Sequence, residues 1–135
     1  MDMNKAFLRM MAEQREIALA TAVDVRIVNF CYMPEEHHLY FATFYDNDKV
    51  RELALNDRVS FTTIPHNGTN EHIRASGIAA RSTRTISALA DAFTAKIPAY
   101  RETIDSAGDA LILYEITFDT AVVTVDMEHI ETIHI

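Results

Sequence analysis

The 135 residues contain no Trp, one Cys, three Gly and three Pro. A single Cys31 excludes an internal disulfide and any cysteine-rich zinc site. So few Gly and Pro exclude collagen-like and low-complexity classes. No apolar run approaches the ~18–20 residues that span a bilayer, so no membrane association is expected. The opening MDMNKAFLRMMAEQRE has no apolar core of the secretory type, which makes a cytoplasmic location the expectation. Basic residues are also scarce, 12 Lys and Arg against 20 Asp and Glu, and they are scattered singly. A net charge of −8 without a basic stripe argues against nucleic acid as a partner. One or two fixed cations can still dominate a small pocket, so an isolated anionic ligand stays open.

What is present is a chain with 49% hydrophobic and 24% charged residues, ordinary values for one globular domain over 1–135. Residues 3–14 have helical apolar spacing through Phe7, Met10 and Met11. Strand-like runs follow at 17–23, 26–32 and 39–44, with Pro34-Glu35-Glu36 turning between the last two, as in an antiparallel meander. Asp46-Asn47-Asp48 offers caps for a helix over Lys49–Leu55, with Val50, Leu53 and Ala54 turned inward. Strands are expected at 58–64 and 72–82, joined by the turn Pro65–Asn70. Gly77 inside the second marks a bulge or a close backbone approach. Ile86, Leu89, Ala90 and Phe93 have helical spacing that Pro98 ends, and 98–104 predicts a second helical piece. Strands at 110–118 and 121–125 and a strand-like tail over 129–135 complete a mainly β (α+β) chain of six or seven strands. Short turns between them favour a closed or partly closed antiparallel barrel over a doubly wound sheet.

Lys49 is the most informative residue. A cation in the first turn of a helix opposes the macrodipole, so it calls for an anion: a bound phosphate, or simply Asp46 or Asp48. Arg26 heads an apolar strand face, where it either snorkels to water or meets a phosphate with its planar fork. Tyr40, Phe41, Phe44 and Tyr45 form an aromatic run that suits core or the lining of a flat-ring site. Cys31 reads as a small buried hydrophobe. The six His residues include no HExxH or similar spacing, and no metal is expected. No Walker motif or nucleophile elbow is present.

Four segments occur in a familiar order: Arg26-Ile27-Val28, Leu39-Tyr40-Phe41-Ala42-Thr43, Lys49-Val50-Arg51-Glu52-Leu53 and Asn56-Asp57-Arg58-Val59-Ser60. With Ile73-Arg74-Ala75-Ser76-Gly77-Ile78-Ala79 they span roughly residues 15–126 and resemble the FMN-binding split barrel of the pyridoxamine 5'-phosphate oxidase-like superfamily. The resemblance implies a six-stranded antiparallel split β-barrel with small flanking helices, and a homodimer with FMN in a groove between subunits. It implies Arg26 and Lys49 on the phosphate, and further cofactor contacts from Ile27, Val28, Asn29, Ala42, Thr43, Asp48 and His72. It also implies a flavin-dependent oxidoreductase of an unidentified small molecule; a non-catalytic module for flavin, haem or another planar ligand is the alternative. No catalytic residue is identified, with His66 and His72 the only candidates for proton transfer. The pattern departs from the family at Asp46-Asn47-Asp48, where Ser, Thr or Arg often stands. No C-terminal segment with Arg and His follows Ile130, so a true pyridoxamine phosphate oxidase is not expected.

Overall fold

The computed structural model describes all of residues 1–135. Helix α1 (Met3–Glu13) starts where the Asp2 carboxylate accepts from the Asn4 and Lys5 N–H groups. Strands β1 (Glu16–Ala20), β2 (Val25–Asn29), β3 (Cys31–Met33) and β4 (His38–Phe44) follow. Then come α2 (Asp48–Leu55), β5 (Arg58–Thr63) and β6 (His72–Arg81). A 3-10 turn at Ile86–Leu89 runs into α3 (Ala90–Lys96), followed by α4 (Tyr100–Ala107), β7 (Leu111–Thr117), β8 (Thr120–Thr124) and β9 (Ile130–His134).

The expected strand over 26–32 is bent in two at Phe30. That residue's N–H donates to the Arg15 carbonyl, and its own carbonyl accepts from Lys96 Nζ instead of joining a ladder. Before the bend the chain pairs with β1; after it, with β4. The two halves thus close the path β2-β1-β5-β6-β7-β4-β3 on itself, giving a split barrel of six antiparallel strands with the hairpin β8-β9 attached to β6. The first strand also stops earlier than its composition predicts. Thr21 Oγ1 accepts from the Val23 and Asp24 N–H groups and turns the chain after Ala20.

β6 changes partner along one edge, pairing with β8 over His72–Arg74 and with β7 over Ile78–Arg81. Gly77 sits at the switch, where a Cβ would lie 2.1 Å from the Thr117 carbonyl oxygen. The glycine therefore marks a close backbone approach.

Alternation along the strands sends Ile17, Leu19, Phe41, Phe61, Ile73, Ile116 and Val123 into the barrel. α1 covers one end with Phe7, Met10 and Met11, and α2 places Leu53 and Val50 against the other side of that core. Ala54, expected to face inward, is exposed, and Lys49 takes the buried side of α2 instead. A second, smaller core lies outside the barrel. There Cys31, Tyr40 and Leu113 meet Ile86, Leu89, Phe93 and Ile104 of the helical segment. The aromatic run of β4 is consequently divided. Phe41 stacks on Tyr114 in the main core, Tyr40 belongs to the second, and Phe44 and Tyr45 are exposed.

Candidate functional site

Arg26 and Lys49 are brought together at the mouth of the barrel under α2. Asn47 caps the helix, its side-chain oxygen accepting from both the backbone N–H of Lys49 (3.0 Å) and its ammonium (3.1 Å). The pairing of Lys49 with Asp46 or Asp48 that the sequence leaves open is absent. Asp48 is turned to Arg51, and Asp46 is exposed. Lys49 is only 8% exposed, so its charge is held in a poorly hydrated place. Burial first, and the charge of nearby Arg26 second, push its ammonium below the usual lysine range.

Arg26 is held differently. Its Nη2 donates to Glu52 of α2 at 2.9 Å and to Asp24 at 3.1 Å. Glu52 also accepts from Thr21 Oγ1 at 2.5 Å, which fixes the carboxylate from both sides. Those two hydrogen bonds, Arg26's the larger, hold Glu52 below the usual carboxylate range. Nη1 of Arg26 is buried and has no partner. A buried guanidinium N–H without an acceptor is costly, so Nη1 is a donor that an anion oxygen would satisfy.

The remaining expected contacts are distributed over the sheet. Ile27 is 62% exposed on the outer face beside Val25, while Val28 turns toward the main core. Asn29 donates to the Arg15 carbonyl. Ala42 packs under the helical segment, and Thr43, its neighbour, is buried on the opposite face of β4. His72 shares its end of the sheet with Asn29 and Glu16, about 10 Å along the strands from Arg26 at ~3.3 Å per residue. Its Nδ1 lies 2.8 Å from the Asn70 carbonyl oxygen. The Pro65–Asn70 turn, with Asn67 and Gly68 at positive φ and His66 exposed, stands at this same far end.

On the face of β1 and β2 opposite Arg26, residues of β1, β5, β6 and β8 form a shallow groove of about 560 Å³. Ala18, Ala20, Ser60, Thr62 and Ser76 pave it and Val25 stands at its rim. Arg74, Thr120 and Val122 complete the lining, and the small side chains between them leave room for a planar ring to approach.

Sequence reading missed Glu52 and Thr21, and gave Asn47 as a cap without its hold on the Lys49 ammonium. Glu52 was legible only as the residue three positions after Lys49, and its orientation depends on the turn at Thr21. Also unforeseen is a polar brace on the other side of the barrel. Arg84 donates to both oxygens of Glu36, which accepts from the Tyr40 hydroxyl at 2.8 Å. Burial first, then this acceptor, push the Tyr40 hydroxyl up to about 12.

Residues 10–129 match the family described as pyridoxamine 5'-phosphate oxidase-like. No curated protein matches the chain by sequence. Among solved structures, General Stress Protein 26 from Bacillus anthracis superposes with a TM-score of 0.76 at 17% identity, covering 100% of both chains. HutZ, the heme storage protein from Vibrio cholerae, gives 0.72 at 16% identity over 96% of this chain and 100% of that one. A heme binding protein from Mycobacterium smegmatis gives 0.76 at 14% identity over 99% of this chain, which spans 58% of that protein's length. At these identities the likeness is one of fold.

Proposed function

The chain belongs to the pyridoxamine 5'-phosphate oxidase-like family, and we propose that it binds flavin mononucleotide as a homodimer and serves as a flavin-dependent oxidoreductase of a small molecule. The observation that carries this reading is the pair of cations at the mouth: Lys49, buried with only an amide oxygen, and Arg26, with Nη1 buried and unpartnered. These residues fit a phosphate. Lys49 would supply a point charge and Arg26 a directed N–H, and the shallow groove on the outer face of the same strands would receive the ring. When bound, the flavin supplies hydride or electron transfer, and the chain supplies binding and orientation. Val25 and Ile27, each 62% exposed along the rim, favour a second copy as the cover that keeps water from the ring. A symmetric pair of this kind buries roughly 2,000 Å² or more.

A second reading, a planar-ligand module without turnover, is favoured by the heme named for the Mycobacterium smegmatis protein and for HutZ. One experiment separates them. The purified protein is incubated with FMN or hemin, desalted, and examined by absorption and analytical ultracentrifugation. Retained flavin bands on a dimer, with NAD(P)H-dependent turnover above that of free FMN, support the oxidoreductase. A retained Soret band without flavin supports the module. A micromolar monomer contradicts the shared groove.

A further inference from the structure

The carboxylate of Glu52 takes the Arg26 Nη2 donor for which an anionic ligand would have to compete. Its side chain is 14% exposed, against 62% for Asp24, the other acid on Arg26. It is anchored by Arg26 at 2.9 Å and by Thr21 at 2.5 Å. Counting the sheltered groups alone, Arg26 and Lys49 carry two positive charges and Glu52 one negative, leaving one. A phosphate monoester has a second pKa near ~6 and so brings close to two negative charges at neutral pH. The first matches the mouth as it stands; the second meets Glu52 across the same guanidinium.

Building on the anion-site reading above, we propose that Glu52 is the specificity-determining residue of this site. By competing for Arg26, it makes the mouth suit an anionic end of one charge and limits the affinity for a dianionic phosphate. Its rigid anchoring matters here. A flexible surface carboxylate would swing into water when the ligand arrived, whereas Glu52 would have to give up Thr21 as well as Arg26 to do so. Selectivity then comes from a repulsive element placed beside an attractive one. Nη1, buried and unpartnered, is the guanidinium donor that Glu52 does not use.

The test compares wild type, Glu52→Gln and Asp24→Asn. Glutamine can turn its oxygen to Arg26 and donate its amide N–H to Thr21 Oγ1, so both contacts survive while the charge goes. FMN and riboflavin affinities are measured by flavin fluorescence, and melting temperatures are recorded with and without inorganic phosphate at pH 8. The expected result is a gain in FMN affinity of about tenfold in Glu52→Gln with riboflavin unchanged, the scale of one charge-assisted contact. Asp24→Asn, exposed and screened, should stay within about twofold. Phosphate should raise the melting temperature of Glu52→Gln more than that of wild type. FMN affinity equal to or below wild type in Glu52→Gln overturns the proposal while leaving a phosphate-dependent flavin site standing. If no variant binds either flavin, the flavin reading fails on its own and the phosphate arm decides: a larger shift in Glu52→Gln supports the proposal, and equal shifts overturn it.

Discussion

Two lysines are drawn out of water in this small barrel, and they serve opposite ends. Lys96, at the end of α3, donates to the Met11 carbonyl at the end of α1 and to the Phe30 carbonyl at the strand bend, both at 3.0 Å. Its nitrogen also lies 3.5 Å over the Phe30 ring. Those contacts tie a helix terminus, the split in the barrel and the helical flank to one point. Lys49 meets a single amide oxygen and a neighbouring guanidinium. Burial of a cation therefore does not by itself identify a binding site. What separates the two is how many donor directions the protein has already filled.

Stability should show the difference most strongly. Lys96→Met leaves two carbonyls without their donor and should cost about 2–6 kcal/mol in urea denaturation, at 1–3 kcal/mol for each buried group left unpaired. Lys49→Met loses one hydrogen bond and relieves a buried charge, so it should stay within about 1 kcal/mol of wild type without ligand. Equal losses would erase the comparison.

Acidity sharpens it further. Burial pushes the Lys96 ammonium from 10.5 down to about 7 in the folded chain. Between those values the unfolded chain holds the extra proton, so stability should rise with pH, by at most about 1.4 kcal/mol per unit. The clean window is pH 7 to about 8.5. Above it the Cys31 thiol, whose pKa burial raises in the folded chain, ionises first in the unfolded chain and works the other way. Lys96→Met should flatten this slope in denaturation series run across the window; an unchanged slope would place the titration elsewhere. The smallest effect belongs to Arg51, exposed and paired with Asp48 on the same helix as Lys49. Arg51→Ala should change stability by no more than about 0.5 kcal/mol and FMN affinity by less than about twofold, since a solvated pair contributes little. A larger loss would spread the anion site along the exposed face of α2.

The barrel was legible because alternation and turn chemistry act locally. The meander, the helix after Asn47 and the close approach at Gly77 can all be read from neighbouring residues. The bend at Phe30 was not, because it depends on Arg15 and Lys96, the latter distant in sequence. Lys49 stands out as a cation in a position that calls for an anion, and Arg26 as one that either snorkels to water or meets a phosphate. Glu52 does not, since a Glu in an amphipathic helix is an ordinary solvated residue until Thr21 and Arg26 close around it. The aromatic run of β4 shows the opposite failure: sequence proximity suggested one cluster, while strand alternation sends Tyr40 and Phe41 into different cores.

The central claim is that the unfilled donor directions around Lys49 hold the phosphate of a flavin. Parallel fluorescence titrations of wild type and Lys49→Met with FMN and with riboflavin test it most directly. The account predicts that wild type prefers FMN and that Lys49→Met loses about 1–3 kcal/mol of FMN affinity, the scale of a hydrogen bond to a charged group, while its riboflavin affinity stays the same. Equal wild-type affinities for the two flavins, unchanged in Lys49→Met, would contradict it.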